Sequence, residues 1–196
     1  CGSRILIQRS IYDKFKEALV AKAAKMVAGD PLDPSTKLGA VVSEAHMEKI
    51  LSYISIAKEE GGQVLCGGHR LHPEGVEGGF YVAPTVIEGL GPACRTNQEE
   101  IFGPVVTLQP FDTEEEALAL ANDTAYGLAA TLWTTDLKRA HRVAAGIESG
   151  IVWVNTWLLR DLRTPFGGVK ASGLGREGGF DALEFFTEPQ NICIKL

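Results

Sequence analysis

No run of apolar residues in this chain approaches membrane-spanning length, so a membrane is not an expected partner. Positive charge is in short supply: 19 Lys and Arg stand against 25 Asp and Glu, a net charge of −6, and no block of like charge stands out. Nucleic acid and anionic membrane surfaces both call for a basic footprint, so neither fits. The four cysteines, Cys1, Cys66, Cys94 and Cys193, are widely spaced and form no C-x-x-C pair. That spacing speaks for reduced thiols and a cytoplasmic setting rather than a disulfide framework. Internal repeats and low-complexity segments are missing too. What is there is ordinary for a globular protein: 196 residues, 45% hydrophobic and 22% charged, enough for a substantial core.

Helical and extended segments alternate along the chain. "SIYDKFKEALVAKAAKMVAG" reads as a helix with Ser10 as its cap, apolar residues at Ile11, Phe15, Ala18 and Leu19, and Gly29 at its end. A turn-rich connection follows. Ser43 then opens a second helix with Met47, Ile50, Leu51, Ile54 and Ala57 on one face. "QVLC", "FYVAPTVI", "PVVTLQPF", "LAATLWT" and "GIVWVN" read as strands, nearly continuous in Val, Ile, Leu and Ala, as expected where both faces are buried. Between them lie a helix with a Thr113–Glu116 capping box and another starting at Asp136. The pattern predicts an α/β fold around a mostly parallel sheet flanked by helices, with "NICIKL" as a last strand set apart from it.

Four short motifs bear on chemistry. "SGLGREGG" carries a formal G-x-G-x-x-G at Gly173, Gly175 and Gly178. A dinucleotide fingerprint needs a strand before it, a helix after it and an acidic residue about twenty positions on, inside a βαβ unit. "PFGGVKA" does not read as that strand and the acidic residue is missing, so a plain glycine-rich loop is expected. "CGGHRLH" offers Cys66, His69 and His72 at metal-like spacing but lacks a fourth ligand, so no metal is expected. "NQEEIFGPVV" sets Glu99 beside Glu100, with Phe102 next to a Gly-Pro turn. Two solvated carboxylates would explain it; so would a carboxylate accepting from both hydroxyls of a ribose beside an aromatic that packs on a planar ring. "NTWLLRDLRTPFGG" puts Arg160 and Arg163 just past the end of a strand, where ligand sites of parallel sheets lie. Arginine there suits a carboxylate through a two-pronged contact, or simply pairs with Asp161 at the surface.

Taken together, "QEEIFGPVV", "NDTAYGLAATLWT", "SGIVWVN", "PFGGVKASGLGREGG" and "FFTEPQNICIKL" resemble the C-terminal part of the NAD(P)-dependent aldehyde dehydrogenases, in that family's order and spacing. Within it, "WLLRDLRTPFGG" is most similar to the 2-aminomuconate and 2-hydroxymuconate semialdehyde dehydrogenases. The resemblance implies covalent catalysis by an activated thiolate with NAD, or NADP, as hydride acceptor. The family's nucleophile lies five residues before an arginine, whereas Cys1 of "CGSR" is three before Arg4. On that spacing the nucleophile would stand two residues ahead of Cys1, so no residue of the chain is expected to be catalytic. The chain would be a fragment, inactive alone. The resemblance further assigns Glu100 to the nicotinamide ribose, Phe102 to the nicotinamide and Phe166 to the aldehyde tunnel. Arg160, in preference to Arg163, would grip the far carboxylate of a muconate-type semialdehyde. Residues 1–185 would belong to the catalytic domain, and 186–196 would form an oligomerisation strand added to a neighbouring subunit's sheet, making a homo-oligomer. Two alternatives compete: a catalytically silent interaction module with the same fold, and a thiol enzyme using Cys1, for which no motif supplies a base.

Overall fold

A computed structural model describes residues 2–196, and Cys1 lies outside the described residues. The chain divides into two compact units, Gly2–Leu120 and Ala121–Leu196.

The first unit is built on a four-stranded sheet in the order β1-β6-β5-β2. β1 (Arg4–Gln8) runs parallel to β6 (Val105–Phe111), with Arg4 opposite Thr107. β6 runs parallel to β5 (Thr85–Glu88), and β2 (Gln63–Cys66) closes the edge antiparallel to β5, with a register shift between Val64 and Cys66. Consecutive strand residues point to opposite faces, and the cores divide accordingly. Val86 and Leu108 join Ile7 and Ala23 in a cluster under α1 (Tyr12–Ala23). Ile87 and Val105 join Met47, Ile50, Ile54 and Ala57 of α2 (Glu44–Glu59).

α2 follows its sequence signals closely. The Ser43 side chain accepts from the His46 N–H at 3.2 Å, satisfying one free donor of the first turn, and Gly61 takes a left-handed φ of 90° past the end. α1 is a correction. A short 3-10 turn, Arg9–Ile11, contains Ser10; the cap position falls to Ile11 without a side-chain bond, and the helix ends at Ala23 rather than near Gly29. Beyond it, the Val27 carbonyl accepts from the N–H groups of Lys37 and Leu38, and tertiary bonding of that kind overrides the helix propensity of "AKMVA". "FYVAPTVI" is likewise two strands, not one. Pro84, which has no N–H to give a ladder, separates β4 (Tyr81–Val82) from β5, and β4 pairs instead with β3 (Arg70–Leu71). Glu60 closes the N-terminus of the four-residue α3 (Arg95–Gln98) by accepting from the Arg95 N–H at 2.8 Å. α4 (Glu114–Asn122) has its capping box. Thr113 accepts from the Glu116 N–H at 3.2 Å, and the Glu116 carboxylate accepts from the Asp112 N–H at 2.7 Å, one residue earlier than the cap itself.

In the second unit, β8 (Ala129–Leu132), α5 (Leu137–Gly146) and β9 (Ile151–Val154) form a strand-helix-strand unit with β8 parallel to β9. Asp136 caps α5 through the Arg139 N–H at 3.0 Å. β7 (Tyr126–Gly127) pairs antiparallel with β10 (Val169–Lys170), and α6 (Gly179–Phe186) follows. A short strand therefore does precede the glycine motif, against the reading of "PFGGVKA". Because β10 pairs antiparallel with β7, no βαβ unit forms and the motif remains a loop. Gly178, at φ 90°, ends that loop as the cap of α6, where a Cβ would stand 2.5 Å from the Thr164 carbonyl oxygen. "NICIKL" forms no strand pairing among the described residues, and Ile192 and Ile194 are 71% and 77% exposed. A strand needs a neighbour to satisfy its ladder, and none is paired with that segment among the described residues. No helix among the described residues is long and apolar enough to cross a membrane.

Candidate functional site

The sequence-predicted site residues fall in two places, one in each unit. In the first unit the segment Glu99–Gly103 connects α3 to β6. Its two glutamates, of which the resemblance singles out Glu100, have separate surroundings. The Glu99 carboxylate accepts two bonds from the Arg95 guanidinium, at 2.8 and 2.9 Å, and one from the Tyr53 hydroxyl at 2.5 Å. The Arg95 guanidinium, followed by the Tyr53 hydroxyl, holds the Glu99 carboxyl down to about 2. Glu100 is exposed, and its carboxylate takes no hydrogen bond among the described residues. Only its backbone carbonyl is engaged, by the Lys49 ammonium at 2.8 Å.

Phe102 adopts φ 58°, the left-handed region, and the residue is 76% exposed. Its carbonyl accepts from His46 Nε2 at 2.7 Å, and the two rings meet edge to face at 6.1 Å. A carbonyl only accepts, so Nε2 carries the proton. The turn is pressed onto the core: a Cβ on Gly103 would lie 2.6 Å from Ile50 Cδ1. An unpartnered carboxylate and an uncovered aromatic ring, two positions apart on a fixed backbone, can hold a sugar diol and a planar ring. His46, Lys49 and Tyr53 were not singled out in the sequence; their i, i+3, i+7 spacing on the polar side of a helix was the available signal.

In the second unit the loop after β9 carries the others. Trp153 donates from its indole N–H to the Leu159 carbonyl at 2.8 Å and packs on Trp157 at 5.2 Å. Arg160 and Phe166 come together, with the guanidinium 4.0 Å from the ring centroid and 3.5 Å from the Glu177 carboxylate. Phe166 is fixed by a reciprocal backbone pair with Glu177, at 2.7 and 2.8 Å. Arg163 does not join them. It is 89% exposed and folds onto Asp161, whose carboxyl its guanidinium and backbone N–H hold below the usual range. Glu177, on the "SGLGREGG" loop, is the partner that sequence spacing alone did not reveal.

Of the Cys66, His69 and His72 motif, two members contact backbone carbonyls. Cys66 Sγ lies 3.7 Å from the Pro84 carbonyl and His69 Nδ1 lies 3.1 Å from the Gly67 carbonyl. No group of three His, Cys, Asp or Glu among the described residues is placed to hold a metal ion.

The sequence model of the aldehyde dehydrogenase family matches residues 1–192. The chain is 52% identical to a 2-hydroxymuconic semialdehyde dehydrogenase of Pseudomonas sp. (strain CF600), over 98% of this chain and 40% of that protein. It is 48% identical to a 2-aminomuconic semialdehyde dehydrogenase of Mus musculus, over 100% of this chain and 41% of that protein. Among solved structures it resembles a betaine aldehyde dehydrogenase of Staphylococcus aureus in complex with NAD+, with a TM-score of 0.91 and 43% identity, over 94% of this chain and 37% of that one. The chain belongs to the aldehyde dehydrogenase family. It spans about 40% of the length of the curated relatives it matches.

Proposed function

We propose that this chain works within an NAD-dependent aldehyde dehydrogenase that oxidises a small aldehyde carrying a distant carboxylate, a muconate-type semialdehyde, to the acid. The observation that carries the coenzyme half of this reading is the free Glu100 carboxylate two residues from the uncovered Phe102 ring. When bound, NAD supplies the hydride acceptor. Glu100 accepts from the nicotinamide ribose hydroxyls, and Phe102 packs beside the nicotinamide and keeps water from that face. Phe166 lines the aldehyde's path. Arg160, stacked on it, receives the substrate's carboxylate, in keeping with the semialdehydes named for the relatives.

Residues 186–196 serve as the oligomerisation segment: Ile192, Ile194 and Leu196 are exposed and would pair with the sheet of a second copy. The three described cysteines are free thiols, which suits the cytoplasm. The test is a fluorescence titration of NADH into the full enzyme and its Glu100→Ala variant without aldehyde. The variant should bind about tenfold more weakly, the worth of one or two hydrogen bonds to a charged acceptor. Unchanged binding would overturn the coenzyme assignment.

A further inference from the structure

We infer that Trp153 and Asn155, at the end of β9, are positioning residues that set the path of the loop 155–160 and so place the Arg160 guanidinium over Phe166. Trp153 is 7% exposed, so its indole N–H has little water to turn to, and it donates instead to the Leu159 carbonyl at 2.8 Å, directly before Arg160. Its ring packs on Trp157 at 5.2 Å. The Asn155 carboxamide donates to the Thr134 carbonyl and accepts from the Thr134 N–H, each at 2.8 Å, while the Asn155 N–H donates to the Leu132 carbonyl at 2.8 Å. One side chain thereby carries the pairing of β8 with β9 beyond Leu132 and Val154, the last residues in register. The Thr131 hydroxyl donates to the Thr156 carbonyl at 2.9 Å, so the loop is tied at Asn155, Thr156 and Leu159.

Two further observations separate positioning from ordinary loop bonding. The loop enters the left-handed region twice within four residues, at Asn155 (φ 55°) and Leu158 (φ 57°), and a leucine stays there only where its surroundings impose it. The ties bracket that leucine: Trp157 before it lies on Trp153, and the Leu159 carbonyl after it is held by the same indole. The far side of Arg160 is closed as well. The Asp161 carbonyl accepts from the Thr164 N–H at 3.0 Å and from the Thr164 hydroxyl at 2.7 Å, and Phe166 is joined to Glu177 by its reciprocal backbone pair. Arg160 therefore leaves a backbone fixed on both sides, with its guanidinium 4.0 Å from the Phe166 centroid and 3.5 Å from Glu177. The hydrogen bonds from the Trp153 and Asn155 side chains all go to backbone atoms, so both residues act on a substrate only through Arg160.

This inference rests on the proposed role of Arg160, and the experiment keeps the two apart. Trp153→Phe, Asn155→Gly and Arg160→Ala are made in the full enzyme. KM and kcat are read by initial rates with two aldehydes of matched length, one ending in a carboxylate and one in an amide, and NADH affinity by fluorescence without aldehyde. Trp153→Phe keeps an aromatic ring in the buried place and removes the N–H donor. Asn155→Gly removes the carboxamide and tolerates the positive φ; because Asn155 is exposed, this variant decides the matter if Trp153→Phe fails to fold. Each should raise KM for the carboxylated aldehyde about fivefold, the worth of one lost hydrogen bond, and leave its kcat, KM for the amide and NADH affinity within about twofold. A loss of general stability would move both aldehydes alike, so an equal rise in the two KM values would overturn the positioning role, as would wild-type KM values in both variants. Arg160→Ala without a selective loss on the carboxylated aldehyde would overturn the Arg160 assignment and the positioning role together. A selective loss in Arg160→Ala beside unchanged Trp153→Phe and Asn155→Gly would remove the positioning role alone.

Discussion

Arg160 offers the sharpest test of substrate class. In the proposed role its guanidinium has two separable parts: it covers the Phe166 ring at 4.0 Å, and it would receive a carboxylate, with Glu177, at 3.5 Å, as the one competing carboxylate among the described residues. The first matters for any aldehyde that passes Phe166, and is worth about 0.5–1 kcal/mol at a site open to water. The second matters only for a substrate with a far carboxylate. A charge-assisted two-pronged contact is worth about 1.5–3 kcal/mol, and with the side chain 38% exposed the lower half of that range applies. Arg160→Ala should therefore cut kcat/KM for a neutral aldehyde by no more than about fivefold, and for a carboxylated semialdehyde by about ten- to a hundredfold. Arg160→Lys, which keeps the charge but not the planar fork, should fall between. Glu177→Gln should improve the carboxylated substrate slightly by releasing the guanidinium. The assay is NADH formation with two aldehydes of matched length, one ending in a carboxylate and one in an amide. Equal losses on both would refute the assignment, and so would a selective loss in Arg163→Ala, whose guanidinium is already spent on Asp161.

Two further predictions concern stability. Glu99 is held down to about 2 from an ordinary 4.5, so its contribution is complete above the ordinary value and drains away as pH falls from 4.5 toward 2. The melting-temperature advantage of the wild type over Glu99→Gln should shrink across that window, and an advantage unchanged from neutral pH down to the bottom of it would contradict the pairing. Ile50 is fully buried and lies against Gly103, so Ile50→Ala should cost about 2–5 kcal/mol in urea unfolding. Gly103→Ala should also destabilise by forcing its Cβ onto Ile50 Cδ1, and the double variant should cost less than the sum of the two, because the cavity admits the added methyl; strict additivity would refute that contact.

The capped helices were legible because their signals are local. Ser43, Thr113 with Glu116, and Asp136 each satisfy a donor within a few residues, and each cap stands where its sequence places it. The end of α1 was not legible, because what stops it is the Val27 carbonyl engaged by a segment ten residues further on, against a run of good helix formers. The same limit applies to the site. Arg160 could be preferred over Arg163 only by its place in a family pattern; the contacts in which they differ, one guanidinium on Phe166 and the other folded onto its neighbour Asp161, are not legible in their spacing. Glu100 was distinguished from Glu99 only by its place in a family pattern, since adjacent identical side chains are separated physically by their partners: Arg95 of α3 and Tyr53 of α2 engage Glu99, and Glu100 is exposed.

Four non-glycine residues among those described take positive φ, Phe102, Asn155, Leu158 and Lys170; one is a candidate site residue and two lie on the stretch leading to Arg160. Phe102 at φ 58° and Leu158 at φ 57° are left-handed without the excuse of being glycine, at a cost of about 1–2 kcal/mol each, while Asn155 at φ 55° is of a type that tolerates the region. Each has a clamp from a neighbouring element. His46 bonds the Phe102 carbonyl; the Asn155 carboxamide bonds both the N–H and the carbonyl of Thr134, each at 2.8 Å; and the Trp153 indole bonds the carbonyl of Leu159, the residue after Leu158. Strain of this kind survives only where the surroundings over-determine it, and here the surroundings are regular elements with buried faces, α2 in one unit and β9 in the other. A loop that had to order itself around a ligand would pay that conformational entropy out of its affinity. Segments already bent into unfavourable φ and tied to rigid elements do not, so in the proposed roles the free Glu100 carboxylate, the exposed Phe102 and the Arg160 guanidinium, held by Phe166 and Glu177, would be in place before a ligand arrives.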